Sequence, residues 1–207
     1  SCLATVANTA AAEACGVDLT KQITWDSMLE EGKALHAQNP DYYFMNVDTK
    51  ILCEYVLRPY LRQITGESFI IDSEKKISFT KEQLVEVLQY IKDCYDGGVF
   101  EAAEDSATFK GQIHTNPKWM DGKFVFAYGP SSSINLLMDA VPEAECTVVQ
   151  MPMAEDRVND GFFADTPQYM TVNKNSEHVE EAVDFLNYFY NNAEAQETLK
   201  DVRSIPP

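Results

Sequence analysis

Positive charge is scarce in this sequence. Sixteen Lys and Arg stand against 33 Asp and Glu, a formal net charge of −17 spread along the whole chain rather than gathered in a tail. Such a field repels phosphate backbones and anionic lipid, so a nucleic-acid partner is not expected. A neutral or cationic small ligand suits it, although the same acidity also serves solubility alone. Cysteine pairs are missing too. Cys2, Cys15, Cys53, Cys94 and Cys146 are widely spaced and form no C-x-x-C, which argues against both a disulfide framework and a zinc site. Cys53 and Cys94 fall on the apolar faces of predicted helices and read as small core residues.

Long hydrophobic runs are also lacking. None approaches the roughly 18–20 residues of a membrane helix, and no basic start leads into a hydrophobic stretch as in a signal peptide. The chain is therefore expected to start at or after a processing site, or to be a fragment. The sequence holds no G-x-G-x-x-G and no G-x-x-x-x-G-K, so a nucleotide cofactor has no anchor, and no cofactor is expected. Histidine is limited to His36, His114 and His178. The stretch Asp156-Arg-Val-Asn-Asp-Gly161 has the outline of a calcium loop, but Val158 stands at the third ligand position and Pro167 where a bidentate Glu is needed. It reads as a solvated turn. Glu101, Glu104 and Asp105 read as an exposed acidic surface.

What is present is an alternation of helical and strand patterns over 207 residues. Asn8 caps a short Ala-rich helix that stops at Gly16. Thr24 opens a helix from Trp25 to about Gln38, with Trp25, Met28, Leu29, Gly32 and Leu35 at helical spacing. Tyr42 to Asn46 reads as a buried strand. A helix from about Ile51 to Gln63 carries Pro59, which predicts a kink or an early end. Residues 64–80 read as a loop or small hairpin. Thr80 with Gln83 makes a capping box for a helix whose apolar stripe is Leu84, Val87, Leu88, Ile91, Cys94 and Tyr95, ended by Gly97-Gly98. Val148 to Met153 and Tyr169 to Val172 read as short strands. Ser176 caps an amphipathic helix bearing Val179, Ala182, Val183, Leu186, Phe189 and Tyr190, and Asn192 starts a last helix. This order indicates an α/β protein, a short mixed sheet flanked by helices.

The most informative segment is Lys118 to Leu137. There a buried run, Phe124 to Ala127, empties through Tyr128-Gly129-Pro130 and Ser131-Ser132-Ser133 into helical spacing. A serine hydrolase would need G-x-S-x-G at such an elbow. Only the first glycine is there, and a base is scarce, so hydrolysis is disfavoured and no catalytic residue is assigned. Backbone N–H groups at a helix start can instead hold a ligand, in a crevice outside the strand ends. Simple helix capping by Ser131 or Ser132 accounts for the serines equally well.

The series of motifs adds what no single motif carries. "NTAAAEACGVDLTKQITWDSMLEEGKAL", "KWMDGKFVFAYGPSSSINLL", "VVQMPM", "NKNSEHVEEAVDFLNYFYNNAEAQ" and the closing "SIP" resemble, in order and from end to end, the extracellular solute-binding proteins of ABC importers. The resemblance is to their sugar-binding, maltose-binding-protein-like branch. It implies a periplasmic-binding-protein-like lobe, in which residues 1–160 form the second lobe of a two-lobed protein and 161–207 return toward a first lobe as a strand and two helices. Much of that first lobe would lie outside this chain. It implies a monomeric, non-enzymatic binder of a small polar solute, an oligosaccharide, delivered to an ABC transporter membrane permease. Its location would be extracellular or periplasmic, on a lipid anchor preceding this segment. Cys2, beside the first residue, is a different place for a lipid, but it follows no hydrophobic segment in this sequence.

Carried over by position, the resemblance places Asp48 and Thr49 after the strand Tyr42 to Asn46, Tyr128, Ser131 and Ser132 at the elbow, and Phe162 and Asp165 in the loop 161–166. Carboxylates accept two hydrogen bonds from vicinal hydroxyls, and aromatic faces stack on a sugar's C–H side. Tyr128 and Ser131 are expected to line an open concave surface. Ser131 stands where many sugar binders carry a stacking tryptophan. A rival in another class is a surface interaction domain that reuses the fold without a small ligand.

Overall fold

The computed structural model describes residues 3–71, 73–141, 145–162 and 170–199. A four-stranded mixed sheet in the order β2-β5-β1-β6 forms its centre. β1 (Leu3–Asn8) runs antiparallel to both β5 (Phe124–Pro130) and β6 (Cys146–Val149), while β2 (Tyr43–Asn46) runs parallel to β5. β2, β5 and β6 thus all end on the same edge of the sheet, the edge at which β1 begins.

The helices start where their caps dictate. The Asn8 side chain accepts from Ala11 N at 3.0 Å and opens α1 (Thr9–Ala14). Thr24 and Ser27 bond reciprocally across the first turn of α2 (Trp25–Gln38). The expected Thr80–Gln83 box opens α5 (Lys81–Asp96). Each reciprocal box satisfies two of the N–H groups that a helix start leaves without intrahelical partners. Trp25 and Trp119 are buried packing anchors, at 1% and 0% exposure. Burying one such ring contributes about 2–3 kcal/mol. The Trp119 indole also donates to Leu137 O at 3.0 Å, which ties α7 (Pro117–Met120) to α8 (Ile134–Asp139).

Several expectations are corrected. Of the two outcomes expected at Pro59, a kink or an early end, the early end does not occur. α3 (Thr49–Ile51) continues through a π-helical turn, Leu52–Leu57, into α4 (Arg58–Thr65). In that turn Arg58 N reaches back five residues to Cys53 O, and Pro59, which has no N–H to donate, follows at once. The buried positions are then Ile51, Tyr55, Val56, Pro59, Leu61 and Gln63, and Cys53 is left exposed; Cys94 is buried as expected. On α5 the buried stripe is Val87, Tyr90, Ile91 and Cys94, and Leu88 faces out.

Residues 64–80 include the expected hairpin, β3 (Ile70–Ile71) with β4 (Lys76–Ile77). Beyond it, α6 (Ala103–Ser106) follows Glu101, which the sequence pattern places on an acidic surface. Glu101 is instead buried, accepting from Asn116 Nδ2 at 2.8 Å and paired with Lys118 Nζ. The strand expected from Val148 begins and ends earlier, and Met153 forms a bridge to Thr24 instead. Tyr169 lies outside the described residues, and 170–172 form no strand. Ser176 Oγ accepts from His178 N, and the helix begins two residues later than that cap implies, as α9 (Val179–Asn191). Asn192 caps α10 (Ala193–Leu199), accepting from Glu194 N at 2.9 Å. α9 packs against α10 yet buries none of its residues fully; Val183, Phe185, Tyr188 and Tyr190 remain exposed.

Candidate functional site: the rim where parallel strands end

β2 and β5 are parallel neighbours, paired Tyr43 to Phe124 and Asn46 to Ala127, so their C-terminal ends lie side by side. β2 empties into Val47, Asp48 and Thr49. β5 empties into the 3₁₀ turn Ser131–Ser133 and then α8. In open α/β sheets this edge is where ligands bind, because strand ends give way to helix starts there.

The structure divides the sequence-derived residues. Thr49 and Ser132 are exposed, and Ser131 is half-buried on the rim. Phe162, the residue directly after Gly161, is 43% exposed. Asp165 lies outside the described residues.

Asp48 and Tyr128 are inside. Asp48 is fully buried and its carboxylate is occupied by backbone: Oδ1 accepts from Lys50 N and Ile51 N, both at 2.7 Å, and Oδ2 from Gly111 N at 2.5 Å. It caps α3 and fastens the 111 loop to it, so it offers no open oxygen. Tyr128 is 1% exposed and its ring stacks on Tyr55 at 6.0 Å between centroids. Burial pushes its phenol well above the ordinary tyrosine range. The expectation that Tyr128 lines an open surface is thereby corrected; of the other elbow residues, Ser131 is half-buried and Ser132 exposed. Tyr128 OH and its cross-strand neighbour Thr5 Oγ1 are both sealed from solvent, and neither makes a well-formed hydrogen bond.

The elbow is closely backed. A Cβ on Gly129 would meet Leu137 Cδ1 at 3.4 Å, ordinary contact, so the turn sits directly on α8. No side-chain cap bond is made by Pro130 or Ser133 at the two helical starts there. The three histidines are placed elsewhere: His36 Nδ1 meets Tyr42 O at 2.8 Å, His178 pairs with Glu181, and His114 lies in the turn Ile113–Thr115. Two cavities, of about 280 and 310 Å³, also lie off the rim. The first is bounded by Cys15, Glu31 and Tyr42, the second by Trp25, Tyr60 and four carboxylates. Among the described residues no group of acidic, His and Cys side chains forms a metal-binding cluster.

Sequence reasoning missed Gln63 and Gly161, which hold the segment leading to Phe162. A glutamine late in an amphipathic helix gives no signal of its own. The glycine before Phe162 was the one readable sign of close packing.

The chain belongs to the bacterial extracellular solute-binding proteins: residues 2–207 match that family. Solved structures share the fold. A periplasmic solute-binding protein from Pectobacterium atrosepticum matches at 20% identity with a TM-score of 0.85, covering 99% of this chain and 51% of that one. A periplasmic oligogalacturonide-binding protein from Yersinia enterocolitica, in complex with saturated digalacturonic acid, matches at 24% identity and a TM-score of 0.83, covering 100% and 52%. An ABC substrate-binding protein from Listeria monocytogenes, in complex with cycloalternan, matches at 17% identity and a TM-score of 0.74, covering 100% and 50%. The chain therefore spans about half the length of the solved structures it matches. No curated protein matches it.

Proposed function

We propose that this chain is one lobe of a binding protein that captures an extracellular oligosaccharide and hands it to an ABC transporter permease, without chemistry of its own. The observation that carries this reading is the shared rim of β2 and β5, where Thr49, Ser131 and Ser132 stand at adjacent strand ends. Hydroxyls both donate and accept, which matches a polyol, and Phe162 supplies a flat apolar face for a sugar's C–H side. Family membership supports solute binding, and the named ligands of the Yersinia and Listeria proteins support a sugar.

Residues 1–160 constitute the second lobe in this reading, and 161–207 return to the first. The exposed apolar face of α9 supports that division, since an amphipathic helix of this kind ordinarily buries its stripe. The open rim is consistent with it as well, because a cleft between lobes takes its second wall from the other lobe. The protein acts as a monomer, and the rim binds weakly in isolation.

The net charge of −17 favours a neutral saccharide over a uronic one. A thermal-shift screen tests this, since a ligand that binds only the folded state raises the melting temperature. Neutral oligosaccharides at millimolar concentration are expected to raise it, and digalacturonic acid to do so less. A panel in which no saccharide shifts the transition would overturn the reading.

A further inference from the structure

Gln63 is fully buried in the last turns of α4, and its side-chain amide is saturated. Oε1 accepts from the Trp25 indole and from Ala154 N, both at 2.7 Å. Nε2 donates to Pro152 O at 2.9 Å and Asp160 O at 3.3 Å, and lies 3.4 Å from Met153 Sδ. The backbone continues the clasp: Val158 N donates to Gln63 O at 2.8 Å. Asn159 Nδ2 donates to Gly66 O at 2.9 Å, while its Oδ1 accepts from Gly161 N at 2.6 Å. One amide and one turn of helix therefore hold both ends of the segment 152–161.

Gly161 closes the clasp sterically. Its φ is +72°, and an added Cβ would lie 2.8 Å from Gln63 Cγ and 2.9 Å from Pro59 O. The helix is phased to permit this contact. The π turn at Leu52–Leu57 re-phases the residues after it relative to an unbroken α-helix, and so points Gln63 at Trp25 and the 152–161 segment instead of along the helix surface.

We propose that Gln63 is a positioning residue for solute capture: it fixes the chain's path through Gly161 and so sets where the exposed Phe162 ring stands, without touching solute itself. This rests on the binding reading above for the role of Phe162. The clasp itself does not, and it is tested without any solute.

The test is residue-resolved amide hydrogen exchange on the chain and three variants. Gln63→Met removes every side-chain polar bond at similar length. Protection is expected to fall roughly tenfold or more at Ala154 and Gly161, and much less at the amides of β1 and β5. Gln63→Glu keeps the oxygen that accepts from Trp25 and Ala154 N but sets a second oxygen against Pro152 O and Asp160 O, so Ala154 is expected to stay protected while the 159–161 turn, with its Gly161 N to Asn159 Oδ1 bond, is released. Gly161→Ala leaves the amide's chemistry intact and presses on it from the other side, so the same release at 159–161 is expected. A merely structural glutamine would leave the midpoint of a neutral-oligosaccharide titration of Gln63→Glu where it is in the unsubstituted chain, whereas the proposal expects severalfold weaker binding. Protection falling uniformly across the sheet in the two Gln63 variants, or Gly161 unchanged in all three, would overturn the proposal. Loss of the fold in Gln63→Met leaves the decision to Gly161→Ala, where an unchanged 159–161 segment refutes the clasp.

Discussion

Replacing Asp48 separates an internal role for its carboxylate from a solute-binding one. Asp48→Ala removes a helix cap that satisfies two N–H groups, Lys50 N and Ile51 N, at a cost of about 1 kcal/mol. It also takes away the acceptor of Gly111 N. A bond to a charged acceptor is worth about 1.5–3 kcal/mol where no water replaces it. Gly111 is exposed, so water recovers part of that and the lower end applies. The sum is about 2–3 kcal/mol. For a chain of this size each 1 kcal/mol moves the melting temperature by about 2–4 °C, so Asp48→Ala should melt roughly 5–10 °C lower in a calorimetric or circular-dichroism scan. Asp48→Asn keeps one capping oxygen and turns an N–H₂ toward Gly111 or the helix start. It should lose about half as much. A transition for Asp48→Ala within about 1 °C of wild type would refute the reasoning and return the carboxylate to the list of solute ligands.

Three further outcomes are expected. Gly98 has φ +68°, and an added Cβ would lie 2.0 Å from His36 Cδ2; Gly98→Ala should cost about 2 kcal/mol or more in urea unfolding, and an unchanged midpoint would contradict that packing. Burial pushes the Cys94 thiol up to about 12, and Cys53 is exposed. A thiol reagent at neutral pH should therefore modify Cys53 in the native protein and Cys94 only on unfolding, and rapid native labelling of Cys94 would count against the α5 core. Burial, helped by the charges of Asp26, Glu86 and Asp156, pushes the Tyr60 phenol up to about 12. The unfolded phenol ionises near 10, so above that pH the unfolded state binds fewer protons and stability falls as pH rises. Tyr60→Phe should lessen the alkaline loss in urea titrations at successive pH values, and an identical alkaline limb would exclude this cause.

Much of the scaffold is legible in the sequence because its signals are local. The Asn8 cap, the Thr24 start and the Thr80–Gln83 box each depend on a few neighbouring residues, and each is where the pattern places it. Direction is harder to read. Phe124 to Gly129 are all buried because β5 is a central strand covered on both faces, so no alternation of polar and apolar residues says which way Tyr128 points. Asp48 followed by Thr-Lys-Ile is equally a cap signature and a ligand carboxylate, and only the loop at Gly111 decides between them. The role of Gln63 depends on partners far along the chain, with Trp25 on one side and the 152–161 segment on the other. No window of sequence contains them all.

The most direct test of the central claim is an amide chemical-shift titration of the protein with a neutral oligosaccharide. Shifts concentrated at Thr49, Ser131, Ser132 and Phe162 are the predicted result. Shifts confined to the cavities beside Cys15 or Tyr60, or no saturating shifts at all, would contradict it.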